Sequence, residues 1–459
     1  MKNQNKISRS YLFITSFIAA LGGLLFGFDT AVISGTIPFI TKYFQLSDAM
    51  LGWAVSSALV GCLVGSISAG KPGDIFGRRS MLKALAVMFF ISALGTGFAT
   101  NLTVFVIARF IGGLAIGGAS VLAPMYISEI SPANIRGRLV ATSQLAIVSG
   151  ILIAFFSNYL LMGTGESNWR YMFLAGAVPS AVFFVLLFFV SQSPRWLVMV
   201  GKVDEAKVVI KKVNAAEDVD KIMSEITQSI SKESSGRNVH LFHKPYLRLV
   251  MIGIAVGMFN QFTGINTILY YAPTIFKSVG FSENSAFFQT VMVGLTNLVF
   301  TVIAMTVIDR LGRKFLLMMG AVGMSIFLGL FSFSFLNKSF LNFLNHTFGG
   351  FGLLIFVMGF IAFFAASQGA VIWVILSEMF PNNIRARGSS IGSFSHWVFN
   401  ALISFLFPLA ARHVGVGPVF LFYTGATIFS FFFFWKFLVE TKGKTLEEIE
   451  KLALKKIIN

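Results

Sequence analysis

The sequence predicts an all-α polytopic membrane protein with twelve transmembrane helices in two six-helix halves, joined by a short helical bridge on the cytoplasmic side. Three observations predict it. Hydrophobic residues make up 56% of the chain and charged residues only 12%, against about a quarter charged in an ordinary globular domain, so water cannot solvate most of this surface. Uncharged stretches such as 315–336, 348–376 and 414–435 reach the ~20 residues that cross a ~30 Å hydrocarbon core. Motifs of the first half recur at matching places in the second.

The spans follow in order at 11–36, 50–70, 82–100, 103–127, 139–162, 170–191, 249–276, 287–308, 315–336, 348–376, 389–411 and 415–438. The first begins after Lys2, Lys6 and Arg9 and continues from Tyr11 past Gly35 with no small-residue cleavage site, which reads as a membrane span and not a secretory signal. The longest polar interruption, 193–248, follows the sixth span, and apolar spacing at 204–213 and 218–231 predicts two short amphipathic helices within it. The expected domains are a first half at 1–192, a cytoplasmic helical bridge at 193–248, a second half at 249–438 and a cytoplasmic tail at 439–459.

Charge sets the orientation. The net charge is +17, yet Lys and Arg form no single basic face or arm, so no nucleic-acid partner is expected. Loops 71–83, 136–138, 195–248, 310–314, 385–387 and 436–456 concentrate them on one side, whereas the opposite loops hold chiefly Lys42, Lys277, Lys338 and Arg412. This positive-inside pattern puts both termini in the cytoplasm and the chain in a cytoplasmic membrane. Cys62 is the only cysteine, which rules out an intrachain disulfide and a cysteine metal cage. His240 and His243 form an H-x-x-H, but no carboxylate or cysteine clusters with them to make a zinc site. No G-x-x-x-x-G-K-[ST] loop supplies an ATP engine. No metal and no cofactor is expected.

Two repeats relate the halves. Asp74-Ile75-Phe76-Gly77-Arg78-Arg79 answers Asp309-Arg310-Leu311-Gly312-Arg313-Lys314, each after the second span of its half. Ser128-Glu129-Ile130-Ser131-Pro132-Ala133-Asn134-Ile135-Arg136 matches Ser377-Glu378-Met379-Phe380-Pro381-Asn382-Asn383-Ile384-Arg385 at six of nine positions. Ser193-Pro194-Arg195 after the sixth span and Glu440-Thr441-Lys442-Gly443 after the twelfth complete the set. In order and placement these motifs resemble those of the sugar porter family of the major facilitator superfamily, over nearly the whole chain. The family's P-E-S-P-R reads Ser191-Gln192-Ser193-Pro194-Arg195 here, and its P-E-T-K-G begins with Val439. The resemblance implies the major facilitator fold and carriage of a monosaccharide by alternating access, with two parallel repeats rocking about a midplane site.

Asp74, Arg78, Arg79, Glu129 and Arg136 in the first half, and Asp309, Arg310, Arg313, Glu378 and Arg385 in the second, fall at cytoplasmic helix ends. Topology alone accounts for them as positive-inside residues and solvated caps; the resemblance implies ion pairs between the halves that close an inner gate in the outward-facing state. Asp29 and Arg109 differ, because each interrupts an apolar span, where an ionised side chain costs at least ~2.5–3.5 kcal/mol. Asp29 lies roughly 27 Å along the first span, and Arg109 is a few residues into the fourth, which starts from the opposite side. Both land in the outer half of the membrane, where they can pair as a static salt bridge or as a carboxylate that exchanges a proton when Arg109 moves. The stretch 27–35 is similar to that of bacterial proton-coupled pentose and hexose symporters, while facilitative uniporters carry a neutral residue at the Asp29 position; the resemblance implies proton coupling through Asp29 and Arg109. A sixth-span acid known in such symporters falls here on Gly176.

A sugar offers hydroxyl donors and acceptors around an apolar ring face, so its site needs amides and an aromatic. The segment Asn260-Gln261-Phe262-Thr263-Gly264-Ile265-Asn266 interrupts the seventh span, and Gln144, Asn297, His396 and Asn400 add polar groups at membrane depth. Trp373, Trp397 and Phe26 supply aromatics. Each amide alone serves equally as interhelical glue. The resemblance implies that Gln144, Gln261, Asn266 and Asn297 bind sugar hydroxyls, that Trp373 stacks on the ring and that Tyr270 and Tyr271 belong to an outer gate. Asn260 stands where glutamine is usual, His396 where relatives have an amide, and Ile151 at a position that is Gln in one proton-coupled relative and Ile in glucose uniporters, so the sugar stays open among xylose, glucose, galactose and the like.

Two other functions share parts of this pattern. A facilitator moving sugar without protons has every feature except a required Asp29. A membrane sensor would signal through a long cytoplasmic tail, and the tail at 439–459 is short. An enzyme would need a nucleophile–base pair or a metal cluster, and the spans offer neither. The expected partners are a monosaccharide, protons and the lipid bilayer, with the monomer as the working unit.

Overall fold

The computed structural model describes residues 2–132, 135–213, 219–235, 244–348, 351–381, 384–442 and 448. Among them, twelve helices are long and apolar enough to cross a membrane: Ser10–Tyr43, Asp48–Ser68, Arg78–Gly97, Leu102–Ile130, Arg136–Leu161, Asn168–Leu186, Tyr246–Ser278, Glu283–Ile308, Arg313–Leu336, Phe351–Glu378, Arg387–Val414 and Val416–Phe437. The described residues contain no strand. Hydrocarbon offers backbone N–H and C=O groups no partners, so a spanning segment must satisfy them internally, and a helix does.

Every expected span is present with shifted ends, and three helices lie where the sequence reads as loop. Gly70–Phe76 occupies part of the basic loop after the second span, and Pro194–Met199 precedes the two expected bridge helices, found at Val203–Val213 and Val219–Ser235. Lys338–Phe348 is a short amphipathic helix between the ninth and tenth spans; its phenylalanines blur into the flanking apolar runs.

The chain groups into two compact units. One comprises Met1–Thr30, Gly61–Ile151 and Arg170–Val239. Here the first and fifth spans cross where neither tolerates a side chain: a Cβ on Gly27 would lie 1.9 Å from the Ile147 carbonyl oxygen, and one on Gly150 would lie 2.0 Å from that of Leu24. Small residues let helix backbones approach this closely in membranes. The other unit comprises Ala31–Val60, Leu152–Trp169 and His240–Asn459. Within it, Asn158 Nδ2 donates to the Val32 carbonyl at 3.1 Å, Arg412 pairs with Asp48 at 2.6 Å, and the Tyr159 ring meets Phe288 edge-on at 6.0 Å. These contacts join span ends remote in sequence from the basic loops.

Two irregularities in this second unit position the candidate site. The seventh span is two helices, Lys244–Phe262 and Ile265–Ser278, hinged at Gly264 with φ +78°. The left-handed conformation suits glycine, and Thr263 Oγ1 donates to the Asn260 carbonyl at 2.7 Å to satisfy part of the opened backbone. The tenth span passes from Phe351–Phe364 through a π-helical turn, Ala365–Gly369, into Ala370–Glu378. Such turns widen a helix locally and are frequent at functional sites.

Candidate substrate and coupling site

The break in the seventh span turns its amides onto one another. Gln261 Nε2 donates to Asn260 Oδ1 at 3.0 Å and faces the His396 ring, 3.1 Å from Nδ1, while Asn266 Nδ2 donates to Gln261 Oε1 at 2.7 Å. The His396 ring lies 4.9 Å from that of Trp373 and 5.4 Å from that of Trp397. Thus the seventh, tenth and eleventh spans bring Asn260, Gln261, His396 and Trp397, all buried, together with the half-buried Asn266 and Trp373 into one cluster of amides, imidazole and indoles. Further along, Asn400 Nδ2 donates to the Tyr270 hydroxyl at 3.3 Å and Tyr271 donates to the Ser404 carbonyl at 2.9 Å. Asn297 is buried in the eighth span. Phe26 and Gln144 are half-buried on the first and fifth spans of the other compact unit. One member escaped the sequence reading: Gln368, in the π turn, accepts from Asn260 Nδ2 at 3.4 Å. Its signal was a lone amide five residues before Trp373 in a run of small residues.

In the first unit, Arg109 Nη1 donates to Asp29 Oδ2 at 2.9 Å and to the Asp29 carbonyl at 3.2 Å. Arg109 is 1% exposed and the Asp29 side chain 15%, so the pair lies largely out of water, at the depths in the first and fourth spans where the sequence makes pairing possible. A Cβ on Gly112 would lie 2.4 Å from Ser92 Oγ and 3.4 Å from Asp29 Oδ2; only a bare backbone leaves this corner room.

The residues expected at an inner gate form one wiring diagram drawn twice, with Arg78–Glu129 and Arg313–Glu378 each paired within its own repeat and not across the two. In the first half, Arg78 pairs with Glu129 at 3.0 Å and donates to the Gly73 carbonyl at 2.8 Å, while Ser193 Oγ donates to the other Glu129 oxygen. In the second half, Arg313 pairs with Glu378 at 3.3 Å and donates to the Ile308 carbonyl at 3.4 Å, while Thr441 Oγ1 donates to Glu378 at 2.6 Å. Gly77 and Gly312, at φ +89° and +92°, make the equivalent turns. The caps correspond too: Gln192 Oε1 accepts from the Arg79 N–H at 3.2 Å, and the Glu440 carboxylate accepts from the N–H groups of Arg313 at 2.9 Å and Lys314 at 3.0 Å. Burial alone would raise the Glu440 pKa, but the backbone donors of Lys442, Arg313, Lys314 and Phe315 prevail and hold it below the ordinary glutamate value. Arg79 donates to the Leu187 carbonyl at 2.8 Å as Lys314 does to that of Trp435 at 2.6 Å, each closing the end of the last span of its half. Asp74 pairs with Arg78 at 2.8 Å, Arg136 donates to the Ser131 carbonyl at 3.4 Å, and the Arg310 carbonyl accepts from Lys442 Nζ. The side chains of Asp309 and Arg385, and both His240 and His243, lie outside the described residues.

The profile of the family described as sugar (and other) transporter matches residues 15–453. This chain belongs to the sugar transporter family. It is 39% identical to the D-xylose-proton symporter of Escherichia coli K12 and 38% identical to the arabinose-proton symporter of Bacillus subtilis 168, covering 96% of each; the matches take in 96% and 98% of this chain. The structure of the xylose transporter from E. coli in an inward-open conformation superposes with a TM-score of 0.84 at 36% identity, covering 96% of this chain and 100% of that one. The sugar transporter family is one of multi-pass membrane carriers, and with that the membrane-enzyme reading falls.

Proposed function

We propose that this chain carries a monosaccharide together with a proton across the cytoplasmic membrane, by alternating access, as a monomer with both termini in the cytoplasm. The observation that carries the reading is the Asp29–Arg109 pair inside the bilayer, at 2.9 Å. A static structural pair could be replaced by apolar residues with little loss, whereas a carboxylate that gains a proton when its arginine withdraws links proton movement to the conformational change. The names of the two proton symporters among its relatives agree with this. The amide cluster around Gln261 and Trp373 supplies hydroxyl partners and a ring-stacking face, with Phe26, Gln144, Asn297 and Asn400 as further contacts. The gate clusters are the elements that would pair across the halves in the outward-facing state and separate in the inward-facing one.

In proteoliposomes, Asp29→Asn is expected to abolish sugar accumulation driven by a pH gradient and to preserve counterflow of labelled sugar, because the amide mimics a protonated carboxylic acid and exchange needs no net proton movement. Uphill accumulation by Asp29→Asn, together with no sugar-induced alkalinisation outside wild-type vesicles, would leave proton-independent facilitation as the function.

A further inference from the structure

We propose that Gln368 contacts the substrate and sets its specificity, its Nε2 donating a hydrogen bond to one hydroxyl oxygen of the bound monosaccharide. The inference rests on the sugar-site reading above and adds a residue and a role to it. Gln368 is 1% exposed, and its Oε1 is engaged by Asn260, which ties it to Gln261 and through Gln261 to Asn266 and His396. Its Nε2 has no hydrogen-bond partner among the described residues. The large majority of buried side-chain polar groups are paired, because leaving one unpaired forfeits its hydration with nothing in return. A side chain retained there for packing alone would be apolar.

The local backbone points the same way. Gln368 sits in the π turn Ala365–Gly369, just before the helix that carries Trp373. Its neighbour Ser367 donates to the Phe363 carbonyl at 2.6 Å and lies against Gly320 of the ninth span. The two polar residues of the turn therefore serve different neighbours: Ser367 the helix packing, Gln368 the amide cluster. With Asn260 already on its oxygen, the wholly unspent group of Gln368 is its Nε2 donor, and the complementary ligand group is an oxygen with free lone pairs, such as a sugar hydroxyl. A site built to bond a hydroxyl discriminates against the analogue that lacks it.

The test uses the full chain in nanodiscs and measures binding of the best-transported sugar and its monodeoxy analogues by calorimetry. Gln368→Met is expected to weaken binding of the parent sugar by up to about tenfold and to erase the penalty for deoxygenation at one ring position, leaving the penalties elsewhere intact. Gln368→Leu removes the donor in a shorter, branched side chain that packs differently from methionine. It should give the same single-position pattern, and it decides the matter should the methionine variant fail to fold. Wild-type affinities across the series, or equal changes at every position, would overturn the proposal. Gln261→Ala separates the two readings: lost binding there beside unchanged Gln368 variants sinks this inference alone, and wild-type binding in Gln261→Ala sinks the sugar site itself.

Discussion

Replacing Glu440 by glutamine tests whether the start of the ninth span is held by a charged helix cap. The carboxylate accepts from the first two N–H groups of the ninth span, at 2.9 and 3.0 Å, where the helix dipole favours negative charge. Glutamine keeps an acceptor oxygen and loses the charge. A bond to a charged group is worth about 1.5–3 kcal/mol and a neutral one about 0.5–1.5. The two bonds fall on different carboxylate oxygens, of which glutamine keeps one and turns the other into an NH2 donor. One bond weakens and the other is lost, so about 3 kcal/mol goes. Glu440 is only half-buried, and solvent screening cuts this to about 1 kcal/mol, a factor of roughly five in the folding equilibrium. Thermal unfolding in detergent near neutral pH should show Glu440→Gln melting about 1–2 °C below wild type. The sign with pH follows from the depressed folded pKa: the stabilisation is fully present above the unfolded glutamate value, about 4.3, and is lost as pH falls through the folded value. The two melting curves should therefore converge in acid. A gap that stays constant or widens as pH falls would refute the cap, as would coincident curves at neutral pH.

Two further outcomes follow from the same packing. Gln192→Glu restores in the first half the charge that its counterpart Glu440 provides in the second, and it should raise the melting temperature by a similar amount; a fall would mean that Glu129, bonded to neighbouring Ser193, already fills that cluster's capacity for negative charge. Gly27→Val should lower stability by at least about 1–3 kcal/mol, because its Cβ would meet the Ile147 carbonyl at 1.9 Å, whereas Gly70→Ala, with nothing within 4 Å, should be silent in the same unfolding assay.

The spans were legible because a bilayer imposes one demand, a run of apolar residues long enough to cross, and the described residues meet it twelve times. Asp29 and Arg109 were legible as a pair from their depths along oppositely running helices. What escaped had a weaker imprint. A π turn has no residue signature, so nothing in the sequence singles out Gln368 until Asn260 is seen beside it at 3.4 Å. The helix Lys338–Phe348 is too short for periodicity to stand out against its apolar neighbours. Gln192 reads as a missing acid, yet its amide oxygen still accepts from the Arg79 N–H; the departure changes the charge of the cap and keeps its geometry.

The repeat survives at the helix ends that carry the basic loops and fades inside the bilayer, and the physics of each place explains the difference. At the ends, both halves carry the same obligation: the first N–H groups of the third and ninth spans and the last carbonyls of the sixth and twelfth need partners, and the Arg79–Gln192 and Lys314–Glu440 sets meet it alike. Inside, no such shared obligation exists, since each helix satisfies its own backbone. A polar side chain there is a cost that only its task can offset, and the tasks are divided: the first half holds the ion pair of Asp29 and Arg109, the second the amides about Gln261. A carrier that couples a proton to a neutral solute needs both, but not in the same place. Under the alternating-access reading proposed above, the conformational change of the carrier is what joins the two tasks.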